Sequence, residues 1–250
     1  MITPLSGIPL VKTGDDLARL LIAALDGNGI EPRRHDIVVV AQKIVSKSEG
    51  AFAVLADQKP TAKAQEVAGV VGKDPRLMQA VLSQSREVVR AKKNVLIVET
   101  KHGFVMANAG VDQSNLDAED HNARVLLLPA DPDASAAALK AKLNAHYGVE
   151  IGVIIADSVG RAWRLGTVGL AIGAAGVPAL WDRRGEPDLS GRTLEVTEVA
   201  FADAVAACAV LAMGEAAERR PAALVRGLDW TASEKPVKSL LRPKSEDMFR

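Results

Sequence analysis

Residues 151–176 read IGVIIADSVGRAWRLGTVGLAIGAAG, and the rest of the chain is arranged around them. The run Gly152-Val153-Ile154-Ile155-Ala156 is apolar and short, as expected of a core strand. It meets a carboxylate and a hydroxyl, Asp157-Ser158, where a strand would give way to a turn. Gly160, Arg161, Trp163, Arg164, Gly166, Gly169 and Gly173 follow. Two readings stand open on spacing alone. Asp157 can hold a hard cation while the arginines and glycine backbone meet phosphate oxygens. Equally, the segment is a strand, a turn and two arginines in surface ion pairs.

Working outward, 250 residues are enough to bury a substantial core in one large domain or two small ones. Aromatic residues make up only 3%, so aliphatic side chains and alanine must fill that core. Lys+Arg and Asp+Glu both number 31, and the zero net charge disfavours a general nucleic-acid binder. A single cysteine, Cys208, excludes an intrachain disulfide framework and a cysteine-cluster metal site, and suits a reducing cytoplasm. Its alanine-rich helix has no activating charge, which predicts a buried, inert thiol. The start, MITPLSGIPLV, lacks a secretory pattern, and no stretch reaches the ~20 apolar residues of a membrane span.

Before the central stretch, residues 2–11 read as a short strand and turn. A helix is predicted from Thr13, with Asp16 as a capping-box variant and Gly27-Asn28-Gly29 as its stop. Residues 36–41 (DIVVVA) form a second buried-type strand. It runs into Gln42-Lys43-Ile44-Val45-Ser46-Lys47, whose lysines either face a phosphate or are solvated. Helices are predicted over 61–71 and 75–84, with Asp74 as cap and Pro75 at the first position. The GVVGKD between them is too short for a phosphate loop and lacks a following Ser/Thr. Strands follow at 87–90, 95–100 and 104–107 in antiparallel succession. They lead to NAGVDQSN at 108–115, then a strand at 125–128 and a helix over 131–146 ended by Gly148. After the central stretch come a charged loop (182–192), a long helix over 194–218, or two shorter ones, with Glu195 and Glu198 on one face, and a last strand at 222–225. The tail is either a docked arm or a mobile one. Helices mixed with short strands predict an α+β fold with mixed, largely antiparallel sheets. The domain expectation is a single unit over 1–250, in one lobe or two.

The four histidines, His35, His102, His121 and His146, lack zinc-ligand spacing, and there is no HExxH, GxGxxG or GxSxG. What remains is an oxygen-donor set: Asp112, Asp157, Ser158 and Glu215. Magnesium or manganese takes carboxylates together with phosphate oxygens, and two such ions can bridge a transferring phosphoryl group.

Taken together, SGIPLV (6–11), VVVAQKIVSKSEG (38–50), NAGVDQSN (108–115), IIADSVGRAWRLGTVGLAIG (154–173), DLSGRTLEVTEVAFAD (188–203), LAMGE (211–215), ALVRG (223–227) and RPKSEDMFR (242–250) resemble the coenzyme F420-0:L-glutamate ligases, the CofE-type gamma-glutamyl ligase family. The resemblance spans nearly the whole chain. It implies a GTP-dependent ligation of L-glutamate, one or more and gamma-linked, onto the coenzyme F420-0 precursor. The precursor's carboxylate is activated as an acyl phosphate, the glutamate amine attacks, and GDP and phosphate leave. It also implies a CofE-like fold, an intertwined homodimer, a cytoplasmic enzyme, two divalent cations (Mg²⁺ or Mn²⁺) and a monovalent cation (K⁺). By motif, Asp112 and Asp157 match ligands of one divalent ion, and Ser158 and Glu215 those of a second. Ile8, Pro9, Leu10, Val11, Gln42, Lys43, Lys47 and Asn115 match GTP-contacting positions. So do Met213, Gly214, Glu215, Ala216, Ala217, Glu218, Arg219 and Arg220, a segment bulkier and more charged here than the family's glycine-rich pattern. No general base is assigned, and no fused reductase domain is expected. Another metal-dependent phosphotransferase and a non-catalytic GTP-binding module are the competing readings.

Overall fold

The computed structural model describes residues 1–113 and 124–248. In chain order the elements are β1 (Ile2–Pro4), α1 (Leu17–Gly27), β2 (Ile37–Ala41), α2 (Gln42–Ser48), β3 (Phe52–Val54), α3 (Ala62–Val71), α4 (Pro75–Ser83), β4 (Ser85–Lys92), β5 (Val95–Thr100), β6 (Val105–Ala107), β7 (Arg124–Leu126), α5 (Pro132–Tyr147), β8 (Gly152–Gly160), β9 (Thr167–Ala175), β10 (Trp181–Asp182), β11 (Glu198–Val199), α6 (Phe201–Met213) and β12 (Ala222–Val225). The architecture is α+β with mixed sheets dominated by antiparallel pairs, as the sequence predicts.

The main sheet has the order β1-β12-β2-β8-β9. Its one parallel pair is β2 with β8, in register from Ile37↔Gly152 to Ala41↔Ala156. Helices cover both faces, which is why β2 and residues 152–156 of β8 are apolar at successive positions rather than alternating. Val38, Val40, Val153 and Ile155 pack toward α1 and α5. Ile37, Val39, Ile154 and Ala156 pack toward α6 and Trp230. A separate core forms where α3 and α4 lie against the β4-β5-β6 sheet, joining Val67, Val71, Met78, Val81, Leu96 and Val98.

Local capping sets the helix starts. Asp16, Thr61, Asp74 and Asp131 each accept a hydrogen bond from a first-turn backbone N–H. Asp16 is therefore the N-cap of α1 itself, so the helix begins at Leu17 and not at Thr13. The α3 and α5 helices end on left-handed Gly72 and Gly148.

Three further expectations are corrected. β8 does not stop at Asp157-Ser158: it continues to Gly160, with Asp157 opposite Leu170 and Ser158 opposite Gly169. The helix predicted over 194–218 occupies only Phe201–Met213. Glu195 lies in a bend before it, and Glu198 is drawn into a ladder with Asp182, so the two do not share a helix face. Cys208 is exposed, because it falls on the outward side of α6.

Two glycines explain how closely the helices approach β9. A Cβ on Gly169 would lie 2.5 Å from Ala206 O of α6, and one on Gly173 would run into the Pro132 carbonyl of α5. Two outward N–H groups of this edge strand are then taken by helix carboxylates. Ala171 N–H donates to Asp203 (2.9 Å) and Ala174 N–H to Asp133 (2.9 Å). Among the described residues no helix is long and apolar enough to cross a membrane.

Candidate functional site

Because β2 and β8 are parallel and in register, β2 comes to its carboxyl end beside Ala156, four residues before β8 reaches its own. Open sheets bind ligands beyond such ends. Ala41 pairs with Ala156, so the residues that follow, Gln42-Lys43 and Asp157-Ser158, share one edge. A cavity of about 720 Å³ opens there. Its walls are residues 8–11 of the first loop, residues 41–44 and Lys47 of the β2–α2 junction, Asp112, residues 156–158 of β8, Val210 of α6, and residues 213–221. Every described residue expected at the nucleotide or metal positions lines this one cavity. Asn115 lies outside the described residues.

The polar groups are arranged in pairs. Lys43 Nζ meets Asp112 Oδ2 at 2.7 Å. Asp112 is set in place by a two-way backbone bridge to Leu126 and by the left-handed Asn108 and Ala109 (φ 50° and 55°) ahead of it. Ser158 Oγ donates toward both carboxylate oxygens of Glu215, at 2.9 and 2.7 Å. Thr167, the partner of Gly160 across the hairpin, reaches Glu215 Oε1 at 3.4 Å. Asp157 accepts the Ser158 N–H at 2.9 Å. Burial pushes the Asp157 carboxyl up to about 6, and the negative charges of Asp112 and Glu215 add to that rise against the opposing effects of the Ser158 N–H and Lys43. Gln42 is buried, and its Oε1 accepts from Ser46 Oγ at 2.8 Å.

The 213–221 wall is a tight reversal after α6. Gly214 adopts φ 86°, and a Cβ there would collide with the Glu218 side chain. Glu218 folds back onto the Ala216 N–H at 2.8 Å, and backbone N–H bonds hold its carboxyl below the usual range. Arg219 is left-handed (φ 56°). Arg220 Nε is buried and has no hydrogen-bond partner among the described residues. Ala41, Ile44, Ala156, Val210 and Pro221 also line the cavity and were not singled out from sequence. Their chemistry is plain, and only the fold brings them together. Thr167 was missed for the same reason, since its link to Glu215 is made across the β8–β9 ladder.

The donors here are hard oxygens, three carboxylates and a hydroxyl, the set that suits magnesium or manganese and not a soft metal. Asp157 supplies the physical test of fit: a carboxylate whose charge is disfavoured by burial beside two others gains from a cation. Among the described residues no three His, Cys, Asp or Glu side chains converge as a ready-made metal cluster. Lys43 holds Asp112 and Ser158 holds Glu215, so ion binding requires these pairs to open or share.

A family model described as F420-0:Gamma-glutamyl ligase matches residues 7–227. A Coenzyme F420:L-glutamate ligase of Methanothermobacter thermautotrophicus is 47% identical over 246 residues, covering 98% of this chain and 96% of the relative. One from Methanocaldococcus jannaschii is 45% identical over 215 residues, covering 86% and 84%. One from Archaeoglobus fulgidus is 41% identical over 247 residues, covering 99% and 95%.

Proposed function

The chain belongs to the F420-0:gamma-glutamyl ligase family, and from that membership we propose that it joins L-glutamate to the coenzyme F420-0 precursor at the expense of GTP. The observation that carries the proposal is the cavity at the end of β2, beside residues 156–158 of β8. There a carboxylate-hydroxyl set (Asp112, Asp157, Ser158, Glu215) faces basic side chains (Lys43, Lys47, Arg219, Arg220) in one space of about 720 Å³. A nucleoside triphosphate needs both kinds of group, cationic donors for its oxygens and ligands for its escorting ions.

In this reading Asp112 and Asp157 hold one divalent ion, Ser158 and Glu215 a second, and K⁺ is the monovalent partner. The bound ions supply charge neutralisation of the triphosphate and of the oxygen leaving it. The chain's own groups do the rest. Lys43 and Lys47 meet phosphate oxygens, and the orphaned Arg220 Nε–H is a donor that an anionic oxygen satisfies. Residues 8–11, with Leu10 at 71% exposure and Ile8 and Val11 buried, form an apolar wall for the nucleoside. Buried Gln42, fixed through Oε1 by Ser46, presents its amide N–H groups to an acceptor. An unactivated carboxylate is a poor electrophile. Transfer of the γ-phosphoryl group gives an acyl phosphate, the glutamate amine displaces phosphate, and an amide results. A cytoplasmic homodimer is part of the proposal, and exposed Leu189, Val196 and Leu211 offer apolar surface for a second copy to bury.

Purified protein with GTP, Mn²⁺ or Mg²⁺, K⁺, L-glutamate and F420-0 should yield glutamylated deazaflavin and GDP by mass spectrometry. GDP with a different phosphorylated product would favour another phosphotransferase, and GTP binding without turnover a non-catalytic module. Asp157→Asn should keep the fold and weaken Mn²⁺ binding, followed by electron paramagnetic resonance, by roughly tenfold or more, about 1.4 kcal/mol per decade. Unchanged Mn²⁺ affinity would remove Asp157 from the metal site.

A further inference from the structure

Glu215 lies just past the end of α6, after Met213 and a Gly214 with φ 86°. Among the described residues, the hydrogen bonds to its carboxylate come from two hydroxyls. Ser158 Oγ lies at 2.9 and 2.7 Å from the two oxygens, and Thr167 Oγ1 at 3.4 Å from Oε1. The β8–β9 ladder explains why these hydroxyls converge. Ser158 pairs with Gly169 and Gly160 with Thr167, so all four positions share one face of the hairpin, and Ser158 and Thr167 are diagonal neighbours. That face is turned to α6, since a Cβ on Gly169 would lie 2.5 Å from Ala206 O. The other two positions are glycines, so no side chain of the ladder stands between the hydroxyls. A Cβ on Gly160 would meet nothing within 4 Å. The carboxylate of Glu215, arriving from the end of α6, takes up that gap.

The two hydroxyls differ in what a divalent ion would ask of them. Ser158 and Glu215 line the cavity, and Thr167 is not among its walls. A serine hydroxyl has one hydrogen, and here it is directed at Glu215. A hydroxyl that serves a cation does so through its lone pairs, with its hydrogen turned away from the ion and from a carboxylate on the same ion. Ion binding between Ser158 and Glu215 therefore gives up the shorter contact and keeps the longer one. We propose that Thr167 is a positioning residue of the ligase site: its hydroxyl donates to Glu215 Oε1 and holds the carboxylate in place when Ser158 turns to the ion, leaving the other oxygen to serve as ligand. Ligands are oriented in this way by hydrogen-bond partners that do not themselves touch the metal. The assignment rests on the two-ion reading of the site and adds to it a residue from β9.

Mn²⁺ titrations of the full chain in the presence of GDP, followed by electron paramagnetic resonance, test the assignment. The parent should take up two ions. Thr167→Val keeps the branched shape and removes the donor, and it should raise the dissociation constant of one ion roughly tenfold. The other ion should stay within about twofold, and Thr167→Ser, which restores the hydroxyl, should bring both to within about twofold of the parent. Because Thr167 acts through Glu215, adding Thr167→Val to Glu215→Ala should weaken Mn²⁺ no further. Parent-like binding in Thr167→Val overturns the proposal and leaves the ligase reading standing. Equal weakening of both ions, or a loss that adds in full to that of Glu215→Ala, also overturns it, by placing Thr167 in the general fold or on an ion directly. A parent that takes up no Mn²⁺ overturns the two-ion reading and the proposal together.

Discussion

Asp36 is 1% exposed at the start of β2, and it is tolerable there only because it is answered. Arg226 donates to it through Nε (2.8 Å) and Nη2 (2.6 Å), and the Arg33 N–H donates at 2.8 Å. The same guanidinium reaches Glu31 O at 2.8 Å, so one side chain ties the exit of β12 to the entry of β2. Arg226→Met strands a buried carboxylate and should cost about 3–5 kcal/mol in urea unfolding. Adding Asp36→Asn to it should restore much of that loss. If the single variant unfolds at the parent's midpoint, the pair is dispensable. At this scale the sequence announced chemical types but not partners. Lys43 and Asp112 were each marked as candidates, yet their 2.7 Å contact joins two segments that only the fold brings together. The exposure of Cys208 likewise depends on which side of α6 the sheet covers, and alanines on every side of that helix conceal the answer.

At the level of elements, β9 is gripped from both faces, and the grip has a pH signature. Asp203, near the start of α6, accepts the Ala171 N–H. Burial raises its carboxyl above the ordinary value, with that N–H pulling the other way. A raised acid favours the native state only while it is protonated. The cost of burying its charge is absent where folded and unfolded chains are both protonated. It grows as pH climbs out of the ordinary carboxylate range and is complete above the raised value. Asp203→Asn keeps an acceptor and carries no charge, so its stability relative to the parent should increase from pH 4 to pH 7 in urea titrations. A difference that stays flat or falls would contradict the assigned cause. Asp203→Ala, which abandons a buried N–H, should cost about 1–3 kcal/mol. The cap at Asp74 was legible because it is local: its carboxylate sits two residues from the Arg76 N–H it satisfies. Strand limits were not. Asp157 and Ser158 look like a strand end by polarity, and the ladder with Leu170 and Gly169 carries β8 past them. Residues 194–199 carry glutamates at helical spacing, but a bend at 195–196 and the pairing of Glu198 and Val199 with Asp182 and Trp181 keep that stretch out of the helix.

Across the whole molecule, the C-terminal segment binds the two cores together. Val237 N–H donates to Asp133 at 3.2 Å beside the main sheet. Leu241 packs so close to Gly103 that a Cβ there would lie 2.8 Å from Leu241 Cδ1. Lys244 then reaches Glu87 (2.9 Å) and Glu99 (3.5 Å) on the smaller sheet. Ending the chain after Ser233 should lower the unfolding free energy by about 1.5–3 kcal/mol for the buried Val237 alone. It should also broaden or split the calorimetric transition as the cores uncouple. A single transition at the parent temperature would show the strap to be passive. The sequence left the tail as docked or mobile, since its apolar anchors are too sparse to declare a target. The outer strands of the main sheet bear on behaviour at high concentration. β1 is three residues long and ends in Pro4, which has no N–H to offer, and β9 has given two outward N–H groups to Asp133 and Asp203. Neither rim of the main sheet presents a long open ladder for a stray strand to copy, which guards this sheet against edge-to-edge pairing in crowded or newly made chains.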